Sequence, residues 1–161
     1  MQHTDKKVAI FPGSFDPFTI GHYSIVERAL PLFDKIIIAI GVSDGKRAMF
    51  EAEERIDAIS EVFSKEPAVK VIAYNGLTVN AAKDCGAEFI LRGVRMIQDF
   101  EYEKNLAEVN RNLSGIETVL LYTLPEYSHI SSSIVRELIK YGHDVSGFIP
   151  TGMKLSGKRN F

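Results

Sequence analysis

Five short apolar runs recur along the chain, and each is followed by a stretch whose apolar residues have helical spacing. The runs lie at residues 8–11, 36–42, 69–74, 88–91 and 118–123. The run at 36–42 contains Ile and Val with almost no alternation, which is typical of a strand covered on both faces. The stretches after the runs predict helices at 22–33, 51–63, 77–85, 98–113 and 131–141. The sequence therefore predicts an α/β fold, a doubly wound, Rossmann-like domain with a five-stranded parallel sheet and helices on both faces.

Length and charge narrow the function classes. The 161 residues fit one domain spanning 1–161, since no composition break or repeat divides the chain. The 19 Lys+Arg and 21 Asp+Glu give a net charge of −2, which lacks the positive excess of a non-specific nucleic-acid binder. We therefore expect no nucleic-acid partner. Cys85, the single cysteine, excludes an internal disulfide and a multi-cysteine zinc site, and its apolar neighbours predict a small buried hydrophobe.

Membrane and secretory signals are also missing from the sequence. The longest apolar run is far shorter than the roughly 20 residues of a membrane helix. The first seven residues carry charge but lack the apolar core of a secretory signal. We therefore expect a soluble, cytoplasmic protein with no membrane partner.

Polar residues are expected to gather at one edge of the predicted sheet. In a doubly wound fold, ligands bind beyond the carboxyl ends of the strands, near the switch in strand order. A polar segment follows each predicted strand, at residues 13–22, 43–47, 75–78, 92–95 and 127–133. These loops are the predicted ligand site.

The first loop has two interpretations. It holds two Gly, two Pro and an Asp, and His22 lies where the next helix begins. A helix start offers unpaired N–H groups to a phosphate, and Ser14 and His22 would add side-chain donors. A structured loop with a capped helix explains the same residues. The loop lacks both G-x-G-x-x-G and a Walker lysine, which disfavours a hydride-transfer enzyme and a P-loop ATPase.

The other polar segments leave alternatives open as well. Arg92 and Arg95 flank Gly93 and suit a polyphosphate, but they are equally interpreted as solvated surface charges. The three serines at 131–133 open a helix, which they would either cap or turn into a phosphate cradle. The acidic residues at 99–103 are more typical of a solvated helix face than of a catalytic pair. No Ser–His–Asp set, carboxylate dyad or metal cluster stands out, as expected if the nucleophile is already ionised.

Four segments, taken in order, resemble one enzyme family. The stretch Pro12-Gly-Ser-Phe-Asp-Pro-Phe-Thr-Ile-Gly-His22 resembles the signature of the nucleotidylyltransferase superfamily, with its HIGH-like helix start. Within that superfamily, three further segments resemble bacterial phosphopantetheine adenylyltransferases: Arg92-Gly-Val-Arg95, Asp99-Phe-Glu-Tyr-Glu103 and Ile130-Ser-Ser-Ser-Ile-Val-Arg136. The first segment alone would name only the superfamily. All four together span nearly the whole chain and are specific.

The resemblance implies a reaction and its participants. Such an enzyme transfers the adenylyl group of ATP to 4′-phosphopantetheine, giving dephospho-coenzyme A and pyrophosphate in the penultimate step of coenzyme A synthesis. It also implies a homohexamer, coenzyme A as an inhibitor, and Mg²⁺ that arrives with ATP, mostly ligated by water. The acceptor phosphate has a second pKa near 6, so it needs charge stabilisation around it in place of a general base.

The same resemblance implies roles for individual residues. The groups expected at the reacting phosphates are Ser14, His22, Lys46 and Arg95, with His22 stabilising charge and moving no proton. The residues expected to bind phosphopantetheine are Ser14, Lys46, Thr78 and Arg92. Those expected to contact ATP are Ser14, Phe15, His22, Gly93, Val94, Arg95, Glu103, Tyr127, Ser128, His129, Ile130, Ser131, Ser132 and Ser133.

Two positions depart from the family pattern. Many relatives have threonine at Ser14, and the hydroxyl is kept. Relatives often have methionine at Thr78, so contact with the pantetheine arm must here be more polar or made through the backbone.

Two other functions remain as alternatives. The first is a sister nucleotidylyltransferase that uses nicotinamide mononucleotide or a cytidylyl donor. The second is a non-catalytic nucleotide-binding domain, against which the complete set Ser14, His22, Lys46, Arg92 and Arg95 argues.

Overall fold

A computed structural model describes residues 6–43, 45 and 47–155. The strands are β1 (Val8–Gly13), β2 (Lys35–Gly41), β3 (Val69–Tyr74), β4 (Phe89–Val94) and β5 (Glu117–Tyr122). The helices are α1 (Ile20–Ala29), α2 (Ala52–Val62), α3 (Thr78–Asp84), α4 (Ile97–Ser114) and α5 (Ser132–Lys140), with a 3₁₀ turn at Pro125–Tyr127. Within the described residues this is the predicted alternation of strands and helices. Lys46 lies outside them.

The strands form one parallel sheet in the order β3-β2-β1-β4-β5. The predicted five-stranded, Rossmann-like fold is thus confirmed. The chain builds β1, β2 and β3 outward in one direction, then returns through α3 to place β4 on the other side of β1. The switch in strand order therefore lies between β1 and β4, where a doubly wound sheet opens a crevice.

Helices cover both faces of the sheet. On one face, Phe11, Ile38 and Leu91 pack in a core with residues of α1, α2 and α5. On the other, Ile10 and Ile90 pack in a smaller core with residues of α3. Such two-sided burial explains the aliphatic run in the middle of β2, where Ile36 to Ile40 are at most 2% exposed.

Two predicted strands are longer than their sequence patterns indicated. β1 continues through Pro12 and Gly13, which pair with Ala39 and Ile40 of β2. β4 continues through Arg92, Gly93 and Val94, which pair with β5. The prediction that the Arg92 segment follows the fourth strand was therefore wrong. Pairing with a neighbouring strand extends both strands past residues whose own composition signals a turn.

The first helix is displaced from its predicted position. It begins at Ile20, two residues before His22, and ends at Ala29 instead of residue 33. Pro31 explains the early end, since it has no N–H to continue the ladder beyond Leu30.

Cys85 is only partly buried, so its prediction as a buried residue was too strong. Its Sγ donates to the Ala82 carbonyl at 3.4 Å, and burial raises the pKa of its thiol. No helix among the described residues is long and apolar enough to span a membrane.

Candidate active site

The loop after β1 is fixed by a buried aromatic residue with unusual backbone geometry. Phe15 has φ of 47°, which is rare for a residue with a side chain, and it is 2% exposed. Its ring lies 5.2 Å from that of Phe11 and 5.3 Å from that of Phe18. A Cβ added to Gly13 would lie 2.8 Å from the Phe15 ring, so the preceding glycine is needed to admit it. The result is a sharply bent loop with Ser14 at its exposed edge.

Three clefts meet at Ser14. The α1–α5 cleft, of about 420 Å³, lies between the first turns of helices α1 and α5. The α3–α4 cleft, of about 470 Å³, lies between the end of β3 and helix α4 on the other face of the sheet. The α2–α5 cleft, of about 460 Å³, lies beside them and is lined by Arg47, Arg55, Arg136 and Lys140. Ser14 lines all three clefts, and Arg92 lines the first two.

His22 is held as a neutral ring at the start of α1. The backbone N–H of Thr19 donates to its Nδ1 at 3.0 Å, and the Thr19 hydroxyl accepts from the His22 N–H at 3.4 Å. This reciprocal capping leaves the remaining ring proton on Nε2. Burial, reinforced by the charges of Arg92 and Arg95, lowers the pKa of His22 to about 3. The ring is therefore a hydrogen-bond donor without a charge.

Arg92 is clamped by a buried carboxylate. Glu103 is 5% exposed, and its two oxygens accept from Nε and Nη2 of Arg92 at 2.6–3.0 Å. Nη1 of Arg92 donates to the Pro12 carbonyl at 2.6 Å. A guanidinium carries five N–H donors, so two of them are left by these contacts. The alternative that Arg92 is merely a solvated surface charge is wrong, because the guanidinium is fixed at the junction of two clefts.

Arg95 is also paired with a carboxylate and a backbone carbonyl, at longer distances than Arg92. Its Nε lies 3.3 Å from the carboxylate of Asp99 in the first turn of α4, and its Nη1 donates to the Ile130 carbonyl at 3.4 Å. The acidic segment at 99–103 is thus more than a solvated face, since Asp99 and Glu103 each engage one arginine of the site.

The three serines at the start of α5 serve first as local hydrogen-bonding groups. Ser131 caps the helix by accepting from the Ile134 N–H at 3.2 Å, and the Ser132 hydroxyl donates to the Pro17 carbonyl at 2.8 Å. Ser133 accepts from Arg136 at 3.2 Å. All three also line the α1–α5 cleft, together with Ile130. Capping and a ligand cradle, which the sequence left as alternatives, are compatible at one helix end.

The structure brings most of the predicted site residues together. Those lining the α1–α5 cleft are Ser14, Phe15, His22, Arg92, Gly93, Arg95, Glu103, Ile130, Ser131, Ser132 and Ser133. Thr78 lines the α3–α4 cleft, where its Oγ1 lies 2.9 Å from the Tyr74 hydroxyl. Four predicted residues line none of the three clefts: Val94, Tyr127, Ser128 and His129. Val94 is 6% exposed, and the Ser128 hydroxyl donates to Pro125.

Several residues of this region escaped the sequence analysis. Thr19 is an ordinary N-cap residue, but the capping box normally pairs it with Glu or Gln, so a histidine partner hid the motif. Arg55 lies on the inward stripe of α2, one turn before Ile59, and an arginine on an apolar stripe was the available signal. Asp16 is 5% exposed and accepts from the N–H groups of Met49 and Phe50 at 2.8 and 2.9 Å.

No group of three or more His, Cys, Asp or Glu side chains suited to a metal ion occurs in the described part of the chain. The two carboxylates that line the α1–α5 cleft, Asp99 and Glu103, are already engaged by Arg95 and Arg92.

Comparison with known proteins gives the geometry a context. Residues 10–138 match the family model described as cytidylyltransferase-like. A phosphopantetheine adenylyltransferase of Phocaeicola vulgatus is 53% identical over 147 residues, covering 91% of this chain and 97% of the relative. Relatives of the same name from Flavobacterium psychrophilum and Porphyromonas gingivalis are 54% and 53% identical, covering 91% and 93% of this chain and 97% and 98% of their own.

A solved structure supports the fold independently. It is a bifunctional NMN adenylyltransferase/ADP ribose pyrophosphatase from Francisella tularensis, complexed with AMP and a manganese ion. It aligns with a TM-score of 0.69 at 15% identity, covering 92% of this chain and 45% of its own. At that identity the likeness concerns the fold alone.

The state of His22 can be tested by NMR. Because its pKa is about 3, the ring resonances of His22 should stay constant from pH 8 to pH 5 in the folded protein and titrate near 6.5 in urea. The unfolded chain then binds a proton that the folded chain does not, so His22 weakens the fold as the pH falls from 6.5 towards 3. A folded-state titration of His22 near pH 6.5 would show that the ring carries charge at the site.

Proposed function

Because the chain belongs to the cytidylyltransferase-like family and, within it, to the phosphopantetheine adenylyltransferases, we propose that it transfers the adenylyl group of ATP to 4′-phosphopantetheine. A phosphate oxygen of the acceptor forms a bond to the α-phosphorus of ATP. The bond from that phosphorus to the β-phosphate oxygen breaks, so the products are dephospho-coenzyme A and pyrophosphate. The structural observation that supports this assignment is that two clefts meet at Ser14. The α1–α5 cleft is lined by arginines, and the α3–α4 cleft is lined by both polar and apolar residues.

ATP is assigned to the α1–α5 cleft. Two helix N-termini open on it, and their N–H groups and partial positive charge favour phosphate. Arg92, Arg95 and Arg136 line the same space with Asp99 and Glu103, which leaves an excess of one positive charge among these side chains. This combination matches a triphosphate better than any other ligand of the family reaction.

Phosphopantetheine is assigned to the α3–α4 cleft. The pantetheine arm alternates methylene groups with two amides, and the lining has the same character: Leu106 and Ala107 are apolar, whereas Asn75 and Asn110 carry amides. Arg92 lies where the arm's phosphate would meet the nucleotide. We assign Lys46 to that phosphate as well, from the family pattern alone.

The catalytic contribution is charge stabilisation by fixed donors. In-line attack places additional negative charge on the α-phosphate oxygens and the leaving pyrophosphate. Nε2–H of His22, the Ser14 hydroxyl and the guanidinium of Arg95 are the donors assigned to that charge. A ring whose pKa is about 3 suits donation without proton transfer, because it stays in one protonation state throughout the cycle.

Mg²⁺ is proposed to enter with ATP. With Asp99 and Glu103 both engaged by arginines, the donor set fits an ion carried by the triphosphate and water better than one held by protein carboxylates. Bound there, the ion would neutralise part of the triphosphate charge.

A homohexamer is the proposed assembly. Support comes from α4, an 18-residue helix whose single buried residue is Glu103. Its exposed side chains include Ile97, Phe100, Val109 and Leu113, which are 45–76% exposed. Apolar groups concentrated on one helix are typical of a subunit contact.

Coenzyme A is proposed as an inhibitor of the reaction. Coenzyme A shares the pantetheine arm of the product and carries one further phosphate. Support comes from the α2–α5 cleft, which adjoins Ser14 and is lined by four cationic side chains beside Asp16 and Glu137.

The protein is proposed to be cytoplasmic. Support comes from the proposed substrates, which are charged metabolites that do not cross a membrane unaided.

The reaction is tested by pyrophosphate release from ATP and Mg²⁺ in the presence of single acceptors. Turnover is expected with 4′-phosphopantetheine, with a product of the mass of dephospho-coenzyme A. Nicotinamide mononucleotide and glycerol 3-phosphate serve as controls. Turnover with either of these alone would move the chain to a sister activity, and ATP binding without turnover would favour a non-catalytic nucleotide-binding domain.

His22→Ala tests the donor role. Loss of one transition-state donor typically lowers kcat by about 10²–10³-fold, and that loss is expected here with an unchanged KM for phosphopantetheine. His143→Ala is the matched control, since His143 is exposed and lines none of the three clefts. Near-normal kcat in His22→Ala would remove His22 from the mechanism.

Thr78→Val tests the acceptor cleft. The variant keeps the branched shape but loses the hydroxyl that meets Tyr74 at 2.9 Å. We expect KM for phosphopantetheine to rise by about 5- to 10-fold, the equivalent of one hydrogen bond, with kcat and KM for ATP unchanged. Thr151→Val is the matched control, since Thr151 is exposed and lines none of the three clefts. An unchanged KM in Thr78→Val would exclude a contact between the Thr78 hydroxyl and the arm.

A further inference from the structure

Arg55 is a buried cation that the assigned reaction does not use. It is 6% exposed, on the inward stripe of α2 beside Ala58 and Ile59. Burial lowers the pKa of its guanidinium, while the charges of Asp16 and Glu51 oppose that shift. Placing a guanidinium in a core is costly, and an aliphatic residue would fill the stripe without that cost. Some other interaction of Arg55 must therefore account for its presence.

The interaction is with the backbone of the loop that carries Ser14. Nη1 of Arg55 donates to the Ser14 carbonyl at 2.6 Å, across 41 residues of sequence. Its Nε is buried without a hydrogen-bond partner among the described residues, and the bond from Nη1 to Ser14 is the side-chain hydrogen bond that those residues show for it. Two neighbouring carbonyls are held from α5, that of Asp16 by Arg136 and that of Pro17 by Ser132, both at 2.8 Å.

Holding the Ser14 carbonyl fixes more than one atom. The peptide unit is planar and trans, so the Ser14 C=O and the Phe15 N–H point in opposite directions. Arg55 lies in the α2–α5 cleft and Phe15 lines the α1–α5 cleft. With its carbonyl drawn towards α2, the peptide directs the Phe15 N–H away from α2. Phe15 has φ of 47°, so the loop holds a conformation that local preference does not favour.

We propose that Arg55 is a positioning residue for the reaction: by binding the Ser14 carbonyl, it fixes the Ser14–Phe15 peptide and so the Ser14 hydroxyl at the junction of the clefts. The predicted effect on kcat rests on the proposed function, whereas the contact by which Arg55 holds the loop does not. Arg55 itself lines neither the α1–α5 nor the α3–α4 cleft, so it acts on the reacting groups through Ser14.

A double-mutant cycle tests the kinetic consequence. Arg55→Met keeps the length of the buried chain and removes the donor. It should lower kcat by about 10- to 100-fold, the cost of misplacing a reacting group by about 1 Å, with KM for ATP within twofold of wild type. In the Ser14→Ala background, Arg55→Met should cost clearly less, since of the two groups that it positions only the Phe15 N–H remains. Equal losses in both backgrounds would overturn the proposal.

Two further variants separate positioning from stability. Arg55→Lys retains a cation that can reach a carbonyl, so it should recover part of the lost kcat, whereas a purely packing role would favour Met over Lys. Arg28→Met removes an arginine contact to the Tyr122 carbonyl, away from the clefts. It should lower Tm without changing kcat, and a kcat loss matching that of Arg55→Met would overturn the proposal.

Hydrogen exchange provides a readout independent of turnover. In Arg55→Met, and more weakly in Arg55→Lys, the peptide containing residues 13–18 should exchange faster, while the interior of α1 keeps its protection. Unchanged exchange at 13–18 would overturn the positioning role even with altered kinetics. If the wild-type protein transfers no adenylyl group, the proposed function fails, and the exchange result still decides whether Arg55 holds the loop.

Discussion

The bent loop between β1 and α1 is the constraint on which the site depends. Burying the Phe15 ring against Phe11 and Phe18 stabilises the loop through apolar area, and that burial requires a backbone of positive φ. The ring in turn requires Gly13, because a side chain there would collide with it. Ser14 lies between these two residues. Its exposure to three clefts is thus a consequence of hydrophobic packing one residue further along the chain.

Charge at the site is controlled by pairing and burial together. Arg92 and Arg95 each have a carboxylate partner, and both carboxylates come from the first two turns of α4. One helix therefore orients both arginines. Burial, and to a smaller extent the same positive charges, lowers the pKa of His22, whose Nδ1 already accepts from the Thr19 N–H. A cleft built this way gathers positive charge for an anionic ligand while keeping its histidine neutral.

The sequence predicted the fold closely because the fold follows from local periodicity. The aliphatic run of β2 and the helical stripe of α5 identify themselves without reference to distant residues. The prediction was wrong where contacts with residues distant in sequence determine the extent of an element. β4 extends through Arg92 and Gly93 because β5 pairs with it, and a Cβ at Gly93 would make a tight contact of 3.2 Å with the Ile25 side chain of α1. The sequence interpretation placed that glycine at a ligand, and in the structure Gly93 lines the α1–α5 cleft and also lies against helix α1.

The residues of the candidate site also differ in whether local sequence patterns predict them. Residues on loops at the strand ends, such as Ser14 and Ser131, were predictable because the topology of a parallel sheet brings those loops together. Arg55 was not predicted at all, and Glu103 was named from the family resemblance as an ATP contact without its pairing to Arg92. The two side chains meet their partners across 41 and 11 residues of sequence. Both bury a charge to hold a neighbour of the reacting groups. In this chain the residues expected to touch ligand were named from the sequence, whereas the pairings that orient them were not. The reason is physical. The chemistry of a ligand restricts which residue types can bind it, whereas orienting a neighbouring side chain requires only that a suitable group lie close to it in the folded chain.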